Sequence, residues 1–459
     1  MLNLQARTSV TDTSPKTIRI GAGAGYSGDR IPPAVELADK GDLDYLVFEC
    51  LAERTIALAQ LERSQDARLG FDPLLRDRME AVLLSCASKG VKIITNMGAA
   101  NPQAAGEEVI KIARELGLAR LKVAVVHGDD VLPLIHEQAL TIMESGAALQ
   151  SLGSSVLSAN AYIGAEALVE ALQRGADVVI TGRVADPALF LAPLIHEFGW
   201  SMSDWQKMGQ GTVIGHLLEC AGQVTGGYFA DPGYRDVPDL ANLGFPFAEV
   251  SAEGHAIITK VEGSGGCVTV ATCTAQLLYE IEDPASYLQP DVAADFSGVT
   301  LTQVAPNRVR VEGATGRQRP ASLKVTVGHR DGFIGEGQIS YAGLGAQARG
   351  QLALDVLRQR LDASGIQALD SRYELIGVNA IHGPSLAAGY EPYEVRARVA
   401  MRVTTRKEAE RVANEVEAMY LNGPASGGGV TKSVREVIAA VSVLVPRDLV
   451  RTSVTTMEL

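Results

Sequence analysis

From Thr17 to about Phe198, short apolar runs alternate with longer stretches of helical periodicity. The runs Thr17–Gly21, Tyr45–Glu49, Val91–Asn96, Lys122–His127 and Asp177–Gly182 are rich in Val and Ile, as strands buried on both faces are. Between them, Ala52–Arg63, Leu74–Ser88 and Gln103–Leu116 read as helices. Lys40-Gly41, Lys89-Gly90 and Arg174-Gly175 each put a cation in a last helical turn and glycine after it, which stops a helix. Repeated strand–helix grammar predicts an α/β fold with a doubly wound, largely parallel sheet, whose ligand crevice lies beyond the carboxyl ends of the strands.

The distal part of the chain follows another rhythm. Phe333–Tyr341 reads as a strand, Ala346–Leu361 as a helix, Tyr373–Asn379 and Tyr393–Val403 as strands, Lys407–Leu421 as a helix and Val437–Leu444 as a strand. This β-α-β-β-α-β order predicts a C-terminal ferredoxin-like α+β domain over 321–459. The α/β domain then spans 17–320, with a loop-rich insertion or lid at about 201–320, and residues 1–16 form a polar, disordered tail. In the insertion, a helix is expected near Val213–Cys220 and short strands near Ala256–Val261 and Val309–Gly313.

Charge narrows the functional classes. Lys plus Arg number 41 against 54 Asp plus Glu, a net charge of −13 with no basic run. That speaks against nucleic acid or an anionic membrane as a partner. The five cysteines form no CxxC pair, which suits reduced thiols in a cytoplasmic protein, and no apolar run is long enough to span a bilayer. Glycine is abundant at 47 residues and concentrates in loops.

Several of those loops carry candidate chemistry. The run Gly21-Ala22-Gly23-Ala24-Gly25-Tyr26-Ser27-Gly28-Asp29-Arg30 follows the first strand and leads into a helix opened by Pro32-Pro33. Gly23, Gly25 and Gly28 have dinucleotide-fingerprint spacing, but Asp29 puts a negative charge where phosphate would sit. An anion or substrate loop, a nucleotide loop and a plain tight turn all remain open. Four further strand ends carry Glu49, Asn96, His127 with Asp129, and Arg183 with Asp186. By the crevice rule Asp29, Glu49, Asn96, His127 and Arg183 are expected to line one cavity. Crowded carboxylates there could exchange protons, making Asp29, Glu49 and Asp186 the catalytic candidates. Arg183 is the anion clamp, and Gln223 joins the substrate-binding set from the loop Gly222–Tyr228. Asp129 and Asp186 could equally be helix caps. His216, Glu219 and Cys220 share a helix face and could hold a metal; a structural histidine beside a buried cysteine is the plainer alternative, and no metal site is assigned. No GxSxG elbow or P-loop is present, against a lipase-like hydrolase or an NTPase.

The strings Ile20–Arg30, Asp44–Thr55, Ile180–Pro187 and His216–Asp231 resemble the acyclic terpene utilisation (AtuA) family, and the resemblance extends over most of the chain from Thr17. It implies catabolism of branched isoprenoid acids handled as CoA thioesters; it carries over no catalytic residue. The leading expectation is an enzyme acting on a branched acyl-CoA or related carboxylic acid by hydration, dehydration or carbon–carbon cleavage, with glycine-loop amides holding the thioester oxygen and no cofactor, CoA entering only as part of a thioester substrate. The alternatives are a non-catalytic acyl-CoA-binding or scaffold subunit and a metal-assisted hydrolase. Val395, Ala397, Val399 and Met401 alternate with Arg396, Arg398 and Arg402, so one face of the C-terminal sheet is basic and a homo-oligomer is expected.

Overall fold

The computed structural model describes residues 16–383, 386 and 389–459. The tail expected at 1–16 lies, apart from Lys16, outside the described residues; Lys16 Nζ donates to Glu197 Oε2 at 2.7 Å. The chain opens with β1 (Thr17–Ala24), β2 (Tyr45–Phe48), β3 (Lys92–Thr95), β4 (Lys122–His127), β5 (Val156–Ala161) and β6 (Val178–Ile180). The middle holds β7 (Pro246–Ser251), β8 (Ala256–Lys260), β9 (Tyr287–Leu288), β10 (Ala293–Asp295), β11 (Thr300–Ala305), β12 (Arg308–Glu312) and β13 (Thr315–Arg317). The last strands are β14 (Ser322–Ala342), β15 (Asp370–Ile376), β16 (Glu394–Val403), β17 (Gly428–Pro446) and β18 (Ser453–Glu458).

A ten-stranded mixed sheet runs in the order β11-β12-β8-β7-β1-β2-β3-β6-β4-β18. Its centre, β1-β2-β3-β6-β4, is parallel. These are the Val- and Ile-rich runs, and helices Glu53–Gln65, Leu75–Lys89 and Pro102–Glu115 fall between them in sequence. The helix stops hold with one change. Gly90 and Gly175 adopt φ of 74° and 79°, whereas Gly41 is right-handed and Asp42 takes the positive φ of 51°.

Beyond the centre the sheet is antiparallel, not parallel. β7, β8, β12 and β11 extend it past β1, and β18 flanks β4. Part of the segment expected as a loop-rich insertion or lid over 201–320 therefore extends the sheet. Its outer strand β11, Thr300–Ala305, is mostly exposed, and its apolar residues Leu301, Val304 and Ala305 do not alternate with polar ones, so there is little strand pattern to read. β9, β10 and β13 make a separate three-stranded sheet.

The described chain divides into two compact units. One comprises the described residues up to Ser151, Ser158–Val327 and Val441–Leu459; the other comprises Leu152–Leu157 and Gly328–Ala440. The C-terminal strand β18 thus belongs to the first unit. A second main sheet has the order β15-β16-β14-β17, with β5 also pairing to β14. In the second unit β16 pairs antiparallel with β14 and β15, and Val395, Ala397, Val399 and Met401 bury against Leu354, Leu357, Val412 and Val416 of helices Ala346–Ala363 and Arg406–Glu417. Two of the arginines on the other face are neutralised locally, while Arg396 bonds neutral partners, among them Ser340 Oγ at 2.8 Å and Thr431 Oγ1 at 2.9 Å. Arg398 bonds Glu336 and Glu374, each at 2.6 Å, and Arg402 pairs with Asp331 at 2.5 Å. Among the described residues no helix is long and apolar enough to cross a membrane.

Candidate active site

The carboxyl ends of the parallel strands open into a cavity of about 470 Å³ in the first unit. Glu49 enters it directly after β2. Its Oε1 accepts from the Leu51 amide at 2.8 Å and from Asn96 Nδ2 at 2.9 Å, leaving Oε2 without a protein partner among the described residues. Asn96, after β3, does not line the cavity. It stands behind Glu49 and also accepts from the Cys50 amide at 2.7 Å, so it fixes the turn that aims the carboxyl. Burial pushes the Glu49 carboxyl well up, and the nearby Asp186 charge adds to this.

Arg183 and Asp186 follow β6. Arg183 is 2% exposed and donates through Nη1 to the Leu51 carbonyl and, at 2.9 Å, to Asp186 Oδ1; its buried Nε has no partner among the described residues. Burial raises the Asp186 carboxyl although Arg183 pulls it down. Asp186 caps no helix through its side chain, because Ala188–Phe198 begins without a side-chain cap. Asp129 has a scaffolding place. It accepts from the Arg183 amide at 2.8 Å and Asn160 Nδ2 at 2.9 Å, and burial pushes it up to about 6.

Among the lining residues that the sequence does not single out are Glu53, Tyr162 and Lys324. The Arg183 guanidinium lies 4.0 Å from the Tyr162 ring centroid, and Lys324 Nζ lies 4.9 Å from it. The Tyr162 hydroxyl donates to Glu53, which also accepts from Lys324 Nζ at 3.2 Å. Burial opposes ionisation of Glu53, yet the Tyr162 hydroxyl, Arg183 and Lys324 together hold it down at about 2. This end of the cavity is therefore an ionised, cation-bearing wall.

Glu219 and Cys220 reach the cavity from the helix Trp205–Glu219, started by Asp204 accepting from the Lys207 amide at 3.1 Å. Every residue from Met208 to Glu219 is buried. Its glycines permit that depth, since a Cβ on Gly215 would stand 2.6 Å from the Pro187 carbonyl oxygen. His216 Nδ1 meets Glu219 Oε1 at 2.8 Å. Among the described residues no group of three or more His, Cys, Asp or Glu side chains is placed to hold a metal, so the trio at 216, 219 and 220 does not converge as a donor set.

The glycine loop sits at the rim. Gly25 lines the cavity, and a Cβ there would come within 2.5 Å of the Cys220 backbone, so loop and helix end touch with no room for a side chain. The Gly25 amide is already engaged, donating to Asp29 Oδ2 at 2.9 Å, and the Arg30 amide donates to Oδ1 at 2.8 Å. Those two amides brace the loop and are not offered to a ligand. Gly23 lies within β1 with the Phe48 ring filling its Cβ position, and Gly28 packs on Tyr26. Asp29 and Gln223 line a more open, adjoining hollow that shares Gly25, Cys220 and Tyr279 with the cavity. Burial raises the Asp29 carboxyl. His127 ends β4 as expected, but β18 runs alongside and its ring meets Thr455 Oγ1 at 3.1 Å, away from the cavity. Of the five residues expected to share one cavity, Glu49 and Arg183 line it.

Arg78, also unforeseen, underpins the loop. Fully buried, it donates to the carbonyls of Ser27 at 2.8 Å, Asp29 at 3.3 Å and Tyr26 at 3.4 Å, and pairs with Asp72 at 3.2 Å.

The family model described as acyclic terpene utilisation family protein AtuA matches residues 18–456. The chain belongs to the AtuA family. Membership covers both compact units and implies a role in acyclic terpene utilisation. No curated protein and no solved structure gives a match to this AtuA-family chain.

Proposed function

We propose that the chain is an acid–base enzyme of acyclic terpene utilisation, acting on a branched-chain acyl-CoA or the related carboxylic acid by addition or removal of water or by carbon–carbon cleavage. One observation carries this reading: Glu49 and Asp186, both raised by burial, share one cavity with Arg183. A carboxyl held neutral can deliver a proton to a reacting carbon or leaving oxygen, and the same group ionised can take one. Arg183 and Lys324 flank Tyr162, and this wall suits a carboxylate or a thioester oxygen that gains charge. The cavity's size lies within the roughly 300–1,000 Å³ that small-molecule sites occupy. The second unit we read as a ferredoxin-like sandwich, on the strength of its strand-helix-strand-strand-helix-strand order.

The test is a panel of branched enoyl-, hydroxyacyl- and free-acid substrates offered to the wild type and to Glu49→Gln. The variant keeps shape and loses the exchangeable proton, so kcat falls roughly 10²–10⁴-fold while affinity for an unreactive acyl analogue stays within a few-fold. Unchanged turnover in Glu49→Gln would remove Glu49 from the chemistry. Tight binding of the panel without any turnover would favour the acyl-binding subunit instead.

A further inference from the structure

The last turn of the Trp205–Glu219 helix carries a polar pair that the roles of Glu49, Asp186 and Arg183 leave unused. His216 is 0% exposed and Glu219 6%, and they bond each other through Nδ1 and Oε1. The outer oxygen Glu219 Oε2 is buried with no hydrogen-bond partner among the described residues, and the backbone of Gln276 and Leu277 lies against the His216 ring and favours its protonated form. The His216 backbone is held by Gln276 Nε2, which donates to its carbonyl at 2.9 Å, and the ring packs on Tyr287 and Phe296 at centroid distances of 5.5 and 5.8 Å. The imidazole is thus clamped on its apolar faces. Buried polar atoms left unpaired weaken a fold, and where they also line a cavity they mark a place for a ligand or a transferred proton. Glu219 lines the same cavity as Glu49.

We propose that Glu219 is a second proton-exchanging residue of this cavity, serving as the base to Glu49's acid, with His216 as its positioning residue. The inference rests on the acid–base reading above and narrows the substrate to a branched α,β-unsaturated acyl compound or its β-hydroxy counterpart. In hydration, Glu219 takes a proton from water as the water oxygen bonds to the β-carbon. The electron pair of the double bond moves to the α-carbon, which takes the Glu49 proton. Glu219 ends protonated and Glu49 ionised, and exchange with solvent water restores both; dehydration is the reverse.

The electrostatics suit this division. Burial pushes Glu219 up to about 7, Asp186 and Glu280 push the same way, and the facing His216 pulls it back down. Tyr287, Cys220 and Tyr279 are further titratable neighbours in this cavity, each raised and so neutral, and Glu49 lines the same cavity. Hydration therefore gains rate as pH rises through about 7, because the base form of Glu219 is required. Replacing His216 by a neutral residue removes the downward pull and moves that limb to higher pH.

Two measurements separate this inference from the reading beneath it. The first needs no substrate: infrared titration of carboxyl bands in the free protein. A carboxyl titrating near neutrality is expected in the wild type, absent in Glu219→Gln and displaced upward in His216→Asn. Curves identical in wild type and Glu219→Gln overturn the proposal. The second uses whichever enoyl ester the panel identifies. Glu219→Gln should lose roughly 10²–10⁴-fold in kcat with KM within a few-fold, and His216→Asn should shift the acidic limb of the pH profile upward. Near-wild-type turnover in Glu219→Gln overturns the assignment even if Glu49→Gln is inactive. If no substrate turns over, the acid–base enzyme reading fails and the infrared titration alone decides the pair. If Glu219→Gln does not fold, His216→Asn carries both measurements.

Discussion

Arg78→Met should be among the most damaging single substitutions outside the cavity itself. Arg78 and Asp72 have side-chain exposures of 0% and 2%, so neither charge can fall back on water when the other is removed. Breaking such a pair from one side costs about 3–5 kcal/mol, most of it the uncompensated charge left behind. Methionine fills much of the arginine volume, so cavity formation adds little. The three carbonyls of the 26–29 loop also lose their donor, which loosens the rim of the cavity. Asp72→Asn in the same chain removes the stranded charge, so the double variant should recover at least about 1 kcal/mol relative to the sum of the singles. Urea unfolding followed by tryptophan fluorescence is the assay. The chain's two tryptophans, Trp200 and Trp205, both lie in the first unit and report its transition. A loss below about 1 kcal/mol for Arg78→Met, or strict additivity in the double variant, would refute the reasoning that this ion pair props up the loop.

Two further outcomes follow from local geometry. Gly25→Ala forces a methyl group against the Cys220 backbone and should lower stability by about 1–3 kcal/mol, seen in thermal melting, with weaker binding of acyl analogues; an unaffected melt would mean that the loop and the helix end part freely. Folding raises the Asp129 carboxyl from 3.8 to about 6, so the folded state binds the extra proton across that window and stability falls as pH rises through it, by as much as about 3 kcal/mol. Asp129→Asn should lack this dependence, and parallel stability curves for the two proteins from about pH 4 to about pH 7 would show that Asp129 is not the titrating group.

The parts legible in the sequence were those written in local periodicity. The central strands, the helices between them and the placement of Glu49, Arg183 and Asp186 at strand ends all follow from short-range pattern and the crevice rule. What stayed hidden depends on long-range pairing. Tyr162 and Lys324 arrive from the residue after β5 and from β14 to meet Glu53 and Arg183. β5 itself, Val-Leu-Ser-Ala-Asn-Ala, has too few branched residues to announce a strand. Nothing local tells that β18 returns to β4, and that pairing is what covers His127. The strand-end positions of Asn96 and Asp129 suggest a substrate contact or a helix cap, yet each spends its hydrogen bonds on holding a neighbouring turn. Arg78 gave no signal, because a buried arginine in an amphipathic helix looks like any exposed one.

The distribution of cations sorts the cavity's carboxyls into two kinds. Glu49, Glu53, Asp186, Glu219 and Glu280 line it against Arg183 and Lys324, so full ionisation would leave uncompensated negative charge in a partly enclosed space. Both cations stack on Tyr162, and the carboxyl they jointly favour is Glu53, which stays ionised to about 2. Arg183 also holds Asp186, but burial outweighs that pull. Glu49 and Glu219 have only neutral or imidazole partners in direct contact, and both are raised. Glu53 thus serves as a permanent counter-ion while Glu49, Asp186 and Glu219 remain able to bind and release protons, which is the separation of environments that acid–base chemistry requires of like groups. An anionic substrate entering at Tyr162 would bring its charge to the cations and leave the proton-bearing carboxyls facing its carbon chain.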